Sequence, residues 1–122
     1  MADIVDNEAK AYKSALQKTT RVMNEFRKLD PEMAIQQVQT FIFCALNEPK
    51  DISVKDIADS LGFSQASASR NIASFTSWNR HRRQGHGLLD TREDPMNRSR
   101  KVITLTPKGK LVAQAITEII EK

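Results

Sequence analysis

The sequence has few of the residues that build disulfide frameworks and metal sites. It contains one cysteine and two histidines among 122 residues. The single cysteine, Cys44, excludes an internal disulfide, and its apolar neighbours favour a small buried side chain. His81 and His86 lie far from Cys44 and do not have the spacing of a recognisable metal site. We therefore expect no metal, no cofactor and no structural crosslink.

Long hydrophobic runs are also missing. The apolar run from Phe41 to Leu46 is six residues long, whereas a membrane-spanning helix needs about 20 apolar residues. No basic segment followed by an apolar one opens the chain, so we expect no secretory signal. These absences predict a cytoplasmic protein without a membrane partner.

The chain has little that indicates catalysis. We find no paired carboxylates with an acid–base rationale, no Cys–His nucleophile pair and no phosphate-binding loop. Asp90, Glu93 and Asp94 are close together, but a turn explains them more simply. Gly85-His86-Gly87 lacks the preceding strand and the following helix of a nucleotide-binding loop. We therefore expect that the protein is not an enzyme.

The chain does have an uneven distribution of charge. Residues 1–50 carry seven Lys/Arg and seven Asp/Glu, whereas residues 64–110 carry ten Lys/Arg against three Asp/Glu, a net charge of +7. A basic half beside a neutral half suggests a face that binds a polyanion. An ordinary solvated surface explains the charge alone at least as well, so the motifs must decide.

The length and a 39% hydrophobic share fit one domain over residues 1–122. An N-terminal helix is predicted over 6–29, where apolar residues recur at steps of four and three. Asp30 and Pro31 are suited to begin a second helix, from Pro31 to about Asn47. We expect that helix to be central because its apolar face is wide, comprising Ile35, Val38, Phe41, Ile42, Ala45 and Leu46.

Two short helices joined by a tight turn follow. Ser53 predicts a helix start, with Asp56 three residues later as a variant of the capping box. Gly62 fits the left-handed position just past a helix end. Ser64 is the next N-cap, and its helix should run to about Ser77. This order of helix, turn and helix is typical of DNA-binding domains.

The outer face of the second short helix is the main candidate for a binding surface. Ala68, Ile72 and Phe75 fall on one narrow face and should pack inward, whereas Arg70 lies opposite them. Small side chains surround Arg70, unlike the Glu- and Lys-rich face of an ordinary exposed helix. The major groove of DNA admits one α-helix, and Arg can donate twice to guanine. The candidate contact residues are Ser64, Gln65, Ser67, Ser69, Arg70, Asn71 and Ser74.

A basic connector over 78–87 precedes a charged β-hairpin. The strands are predicted at Leu88–Thr91 and Lys101–Leu105, with a turn over Asp94–Asn97 between them. Connector arginines can contact phosphates or belong to a mobile solvated loop, and the sequence favours neither. Arginines of the hairpin can reach the DNA backbone or a narrow minor groove. The candidates for such contacts are Arg80, Arg82, Arg83, Arg92, Arg98 and Arg100.

Thr106 and Pro107 then begin a last helix over 107–122, which has a broad apolar strip. The residues alone leave open whether the apolar stripes of the first and last helices bury in the chain's own core or against another subunit.

Taken together, the residues from Pro31 to Gly109 resemble the MarR family of winged-helix transcriptional regulators. The spacing from Gly87 to Thr106 matches the family pattern Gly-Leu-Val-Glu-Arg…Asp-Pro-x-Asp-Arg-Arg…Leu-Thr without a gap. Ser67-x-Ser69-Arg70-x-Ile72 also looks like the family's recognition helix. The chain departs from the pattern at Asn97-Arg98-Ser99, where the family has Asp-Arg-Arg.

The resemblance implies a mainly α fold with a small β-hairpin wing. A winged helix-turn-helix core over 31–106 would then be flanked by N- and C-terminal dimerisation helices. It also implies a homodimer and allows a small-molecule effector, for which the sequence identifies no pocket. The dimerisation residues implied are Tyr12, Leu16, Met23, Phe26, Leu111, Val112, Ile116, Ile119 and Ile120.

The leading hypothesis is a sequence-specific, double-stranded DNA-binding transcriptional regulator, a homodimeric repressor on a palindromic site. The second is a winged-helix protein-interaction module, which a clean monomer without affinity for duplex DNA would favour. The third is a nonspecific DNA-binding accessory factor in replication or packaging. That factor would show steep salt dependence without sequence preference.

Overall fold

The structure, a computed structural model, describes residues 2–77 and 84–122, with side chains from residue 7 onward in those ranges. Five helices and three short strands follow one another in this part of the chain. Their bounds are α1 (Ala2–Arg27), α2 (Ile35–Leu46), β1 (Ile52–Ser53), α3 (Val54–Leu61), α4 (Gln65–Phe75), β2 (Leu89–Asp94), β3 (Asn97–Leu105) and α5 (Pro107–Glu121).

The strands form one antiparallel sheet in the order β1-β3-β2. β1 pairs with the carboxyl half of β3 through Ile52 opposite Ile103, which ties the sheet to the start of α3. β2 and β3 form a hairpin, with a register shift between Glu93 and Asp94 at its tip. Both strands are longer than the sequence predicted, so the hairpin projects further from the helices.

The core is built around three phenylalanines from three helices. Phe26 of α1 meets Phe41 of α2 edge to face at 5.7 Å, and Phe41 meets Phe75 of α4 at 5.9 Å between ring centroids. All three side chains are fully buried. Aromatic pairs of this geometry add to the stability gained by burial. They fix α1 and α4 on either side of α2.

The caps of α3 and α4 match the prediction. The hydroxyl of Ser53 accepts from the N–H of Asp56, and the Asp56 carboxylate accepts from the N–H of Ser53, which completes the capping box. Gly62 ends α3 in the left-handed region, with φ of 72°, which favours glycine. Ser64 then caps α4 by accepting from the N–H of Ser67. Two successive caps fix the angle between these helices.

The start of α2 was predicted too early. The side chain of Asp30 accepts from the N–H of Glu32 at 2.9 Å and forms a local turn instead of a helix cap. The helix begins at Ile35, after Ala34, which has no side-chain acceptor. Gln37 compensates in part, because its side-chain oxygen accepts from the N–H of Ala34 at 2.8 Å.

The apolar face of α2 is also only partly central. Val38, Phe41 and Cys44 are buried, but Ile35 and Leu46 are 57% and 79% exposed. Burial raises the pKa of the Cys44 thiol to about 12, so it stays protonated at neutral pH. The prediction that α2 is central is therefore confirmed by its buried residues, whereas one edge of its apolar face is exposed.

The last helix begins where the sequence predicted. The hydroxyl of Thr106 accepts from the N–H of Gly109 and so caps α5. The same hydroxyl donates to the carbonyl of Gly87, which ties the start of α5 to the segment that precedes β2. Gly109 lies directly against the carbonyl of Leu88, where a Cβ atom would collide with the backbone. At the other end, Lys18 of α1 donates to the carbonyl of Ile120 at 3.1 Å.

Candidate nucleic-acid interface

The helix α4 presents the face that the sequence predicted. Ala68, Ile72 and Phe75 are at most 3% exposed and attach the helix to the core. On the opposite side Arg70 is exposed, and Gln65 is exposed at the first position of the helix. This arrangement fixes the orientation of the helix and leaves one side open for a groove of DNA.

Arg70 is held by a short network at the start of α4. Its Nη2 donates to the hydroxyl of Ser67 at 3.2 Å. The same hydroxyl accepts from the hydroxyl of Ser64 at 3.0 Å. The guanidinium makes no other hydrogen bond to the residues that the structure describes, so most of its five N–H donors remain available. The network orients the cation along the outer face before any ligand is bound.

Ser64, Ser67 and Ser69 contribute differently to that face. Ser69 is exposed and flanks Arg70 without a hydrogen bond of its own among the described side chains. Ser64 caps the helix, and Ser67 accepts the hydrogen bonds of Ser64 and Arg70. The small size of all three lets another backbone approach α4 closely.

Asn71 and Ser74, whose predicted contacts with DNA stay predictions, lie on the edge of α4 next to α2. The Nδ2 of Asn71 donates to Oε1 of Gln36 at 3.5 Å. The Nε2 of Gln37 donates to Oγ of Ser74 at 2.9 Å, and that hydroxyl donates to the carbonyl of Asn71 at 2.7 Å. These residues are half-buried. They lock α4 against α2, and no sequence signal linked positions 36 and 71.

The three arginines of the wing, the hairpin β2–β3, have different surroundings. Arg92 donates through Nη2 to both carboxylate oxygens of Asp51, at 3.1 and 3.0 Å. Arg100 bridges two carboxylates, with Nη1 2.8 Å from Asp94 and Nη2 3.5 Å from Asp56. Arg92 therefore joins the wing to the residue before β1, and Arg100 joins the two strands of the wing to each other and to α3.

Arg98 has no ion pair among the described residues, and it is exposed near the tip. Of the three wing arginines it is therefore the one whose charge is least compensated. Asn97 stands where the MarR pattern has an aspartate. Its side chain makes a local contact, because its oxygen accepts from the N–H and the hydroxyl of Ser99. Within the wing itself, Asp94 is an acid that pairs with an arginine, Arg100.

The ion pairs of the wing also shift the pKa of their carboxyl groups. The N–H of Met96 and then the guanidinium of Arg100 hold the pKa of Asp94 below its usual range. The pKa of Asp56 is lowered chiefly by the N–H of Ser53, with a smaller contribution from Arg100. Both groups are therefore charged at neutral pH, and the bridge through Arg100 is intact.

Residues 80, 82 and 83 of the connector lie outside the described residues, so the predicted contacts of Arg80, Arg82 and Arg83 stay predictions. The segments on either side are joined to each other, because the N–H of Gly85 donates to the carbonyl of Ser77 at 3.0 Å. The ring of His86 packs on Phe75 at 5.9 Å. The described residues on either side of the connector therefore both lie at the end of α4.

The predicted dimerisation residues separate into three groups by exposure. Five are exposed, and they are Tyr12, Leu16, Met23, Leu111 and Ile120. Phe26 and Ile119 are 1% and 8% exposed and belong to the chain's own core. Val112 and Ile116 are partly buried against that core. Part of each stripe therefore belongs to the chain's own core, and the dimerisation role of the exposed residues stays a prediction.

No group of three or more His, Cys, Asp or Glu residues in the part of the chain that the structure describes is placed to hold a metal ion. No helix there is long and apolar enough to cross a membrane.

Comparison with known proteins adds information at the level of fold. No protein-family model and no curated sequence matches the chain. A mutant of S. aureus MepR bound to an oligodeoxyribonucleotide matches with a TM-score of 0.71 and 16% identity, over 99% of this chain and 77% of that one. RV1404 from Mycobacterium tuberculosis matches with a TM-score of 0.66 and 19% identity, over 99% and 75%.

A third structure, the heme sensor protein PefR from Streptococcus agalactiae in complex with heme, has a TM-score of 0.61 and 21% identity. The match covers 98% of this chain and 71% of that one. The five helices, the three-stranded sheet and these neighbours agree with the fold that the sequence predicted. The chain therefore has the winged-helix fold of the MarR-type regulators.

Proposed function

We propose that this protein is a sequence-specific regulator that binds double-stranded DNA through α4. The observation that carries the proposal is Arg70, a preoriented cation at the centre of an exposed face of small side chains. A guanidinium can donate twice to one guanine edge in the major groove, which is the commonest specific contact of this kind. The MepR–DNA complex, whose fold extends over 99% of this chain, supports the same use of the fold.

The contact residues divide by role. We assign base reading to Gln65, Ser69 and Arg70, because these polar side chains of α4 are exposed. Arg98 contacts the backbone or the minor groove from the wing, and the connector arginines contact phosphates. Phosphate contacts position a protein without reading sequence. Arg92 and Arg100 act indirectly, since their ion pairs hold the wing at a fixed angle to α3.

The proposed functional unit is a homodimer built from α1 and α5. Tyr12, Leu16 and Leu111 are between 62% and 69% exposed, and burial of large apolar side chains drives association. Two α4 helices related by a twofold axis would enter successive major grooves about 10 bp apart on a palindromic site. A dimer seated in this way covers the duplex against other proteins, so we assign it the role of a repressor in the cytoplasm.

No effector is included in this proposal. Two grooves run along α1 near the end of α5, and their walls are mostly charged and polar side chains, such as Lys13, Arg21 and Lys122. Such walls do not select one class of small molecule. The heme that PefR binds is a property of that protein.

The experiment that tests the proposal is selection of bound duplexes from a random pool, followed by sequencing. We expect enrichment of a palindrome whose half-sites are about one helical turn apart. Retention of duplexes without enrichment would favour the nonspecific accessory factor. Retention of none, with a monomeric protein, would favour the protein-interaction module.

A further inference from the structure

The tip of the wing exposes an apolar side chain where a turn normally has polar ones. Met96 lies between β2 and β3 and is 92% exposed, the highest value among the large hydrophobic residues that the structure describes. Leu46, the next, is 79% exposed. Turns favour Gly, Pro, Asn, Asp and Ser for conformational reasons, and methionine satisfies none of them.

A chain of hydrogen bonds and ion pairs fixes Met96 relative to the helix-turn-helix. Its N–H donates to Oδ1 of Asp94 at 2.9 Å. The other oxygen of Asp94 accepts from Arg100 at 2.8 Å, and Arg100 also contacts Asp56 at the start of α3. These contacts hold the backbone of Met96 in place, while its unbranched, exposed side chain stays flexible.

The surroundings of Met96 favour a nucleic acid over a protein as the contact. Arg98, whose charge is unpaired among the described residues, is two positions away. Pro95 is the other exposed nonpolar residue of the turn. A stable protein interface buries more than about 1,000 Å², and a two-residue tip cannot supply that area. A narrow minor groove combines strong negative potential with apolar sugar walls, and proteins insert Met, Leu or Pro between its base steps.

We propose that Met96 is an apolar contact residue that the wing inserts into the minor groove of double-stranded DNA, beside Arg98. The inference rests on the proposed function, since it requires that α4 occupies the adjacent major groove. Within that arrangement Arg98 supplies the charge and Met96 supplies contact with sugars and base edges. Affinity from Met96 is then independent of counterion release, because a methionine neutralises no phosphate.

The test uses the full chain and the duplex recovered by selection from a random pool. Met96→Ala, Met96→Leu and Arg98→Ala are titrated over a series of salt concentrations, with Leu46→Ala as the control. Leu46 is a similarly exposed apolar residue on α2 and belongs to neither proposed DNA contact. We expect Met96→Ala to weaken binding about tenfold, which corresponds to loss of one buried apolar side chain.

Two further results are expected from the same titrations. Met96→Leu keeps the affinity within about threefold, because volume-conserving apolar changes cost little. The slope of log affinity against log salt is unchanged in Met96→Ala and falls by about one in Arg98→Ala. Leu46→Ala binds as the wild type does. A 2-aminopurine base placed under the wing brightens on wild-type binding and does not brighten with Met96→Ala.

Failure of this inference is distinguishable from failure of the proposed function. Wild-type affinity in Met96→Ala, alongside a specific wild-type complex, overturns the role of Met96 and leaves the proposed function in place. An altered salt slope in Met96→Ala also overturns it, because the residue would then act through the charges of the wing. A wild-type protein that binds no duplex overturns both.

Discussion

Arg70 and Ile72 occupy the two opposite sides of α4, and their environments explain why neighbouring residues have unrelated roles. Arg70 is exposed and makes one hydrogen bond to a serine on its own helix. Ile72 is 3% exposed and lies in the core cluster with Phe41 and Phe75. A rotation of about 200° around the helix separates Arg70, which we propose contacts DNA bases, from Ile72, which packs in the core.

Substitution of Ile72 tests this division at the level of stability. We expect Ile72→Asp to lower the free energy of unfolding by more than about 3 kcal/mol, because a carboxylate would be buried without a partner. Ser69→Asp is the matched control, since it places the same charge on the exposed side and should have a small effect. Thermal melts followed by circular dichroism measure both. A melt of Ile72→Asp equal to the control would contradict the orientation of α4.

At the scale of elements, the wing depends on carboxylates that the rest of the chain supplies. Arg100 joins Asp94 of the hairpin to Asp56 of α3, and Arg92 joins β2 to Asp51. The pKa values of Asp56 and Asp94 are both lowered in the fold. Their contribution to stability is therefore fully present above their unfolded pKa and is lost as pH falls through their folded pKa.

We accordingly expect stability to decline in acid, below about pH 4, in part through these two groups. Asp94→Asn keeps an acceptor for the N–H of Met96 but removes the titrating charge. Its free energy of unfolding, measured by urea denaturation across the acid range, should depend less on pH than that of the wild type. Equal dependence in the two proteins would show that Asp94 does not contribute through its charge.

The elements also show which structural features could be predicted from sequence. The helices α3 and α4, their caps and the inward face of α4 follow from signals within a few residues, and all were predicted. The start of α2 was missed because Asp30 can form either a helix cap or a local turn. The prediction did not include the role of Arg92 and Arg100, whose partners are 41 and 44 residues away. No local pattern contains such a pairing.

Part of the candidate site could be predicted in the same way. Helical periodicity predicted the outward position of Arg70, with Ser69 on its flank, whereas Gln65 was chosen for the hydrogen bonds that its amide can make with adenine. For Asn71 and Ser74 the contact with DNA stays a prediction. Their partners Gln36 and Gln37 could not be predicted, because they lie on another helix. The exposure of Ile35 and Leu46 was missed for a related reason, since a wide apolar face does not reveal which edge the neighbouring helices leave uncovered.

At the scale of the whole molecule, α1 and α5 carry exposed apolar residues that the proposed dimer would bury against a second copy of the chain. We expect the wild type to have twice the chain mass by light scattering. Leu16→Glu combined with Leu111→Glu should give a monomer at micromolar concentration, because each dimer would bury four unpaired carboxylates. Both positions are more than 60% exposed, so the monomer should remain folded.

The matched control for that experiment is Glu at Leu46, an exposed residue of α2 outside the proposed interface. Leu46→Glu should remain dimeric. A dimer that survives the double substitution would place the interface elsewhere on the molecule. Loss of the dimer should also weaken DNA binding, since each half-site alone provides one α4 helix.

The central claim is that α4 reads sequence through Arg70, and one measurement tests it most directly. Wild-type protein and Arg70→Ala are titrated with the selected duplex and with a scrambled duplex at one fixed salt concentration. We predict that Arg70→Ala loses about 1–3 kcal/mol of discrimination per half-site, while its affinity for the scrambled duplex changes little. An unchanged ratio between the two duplexes would contradict the claim.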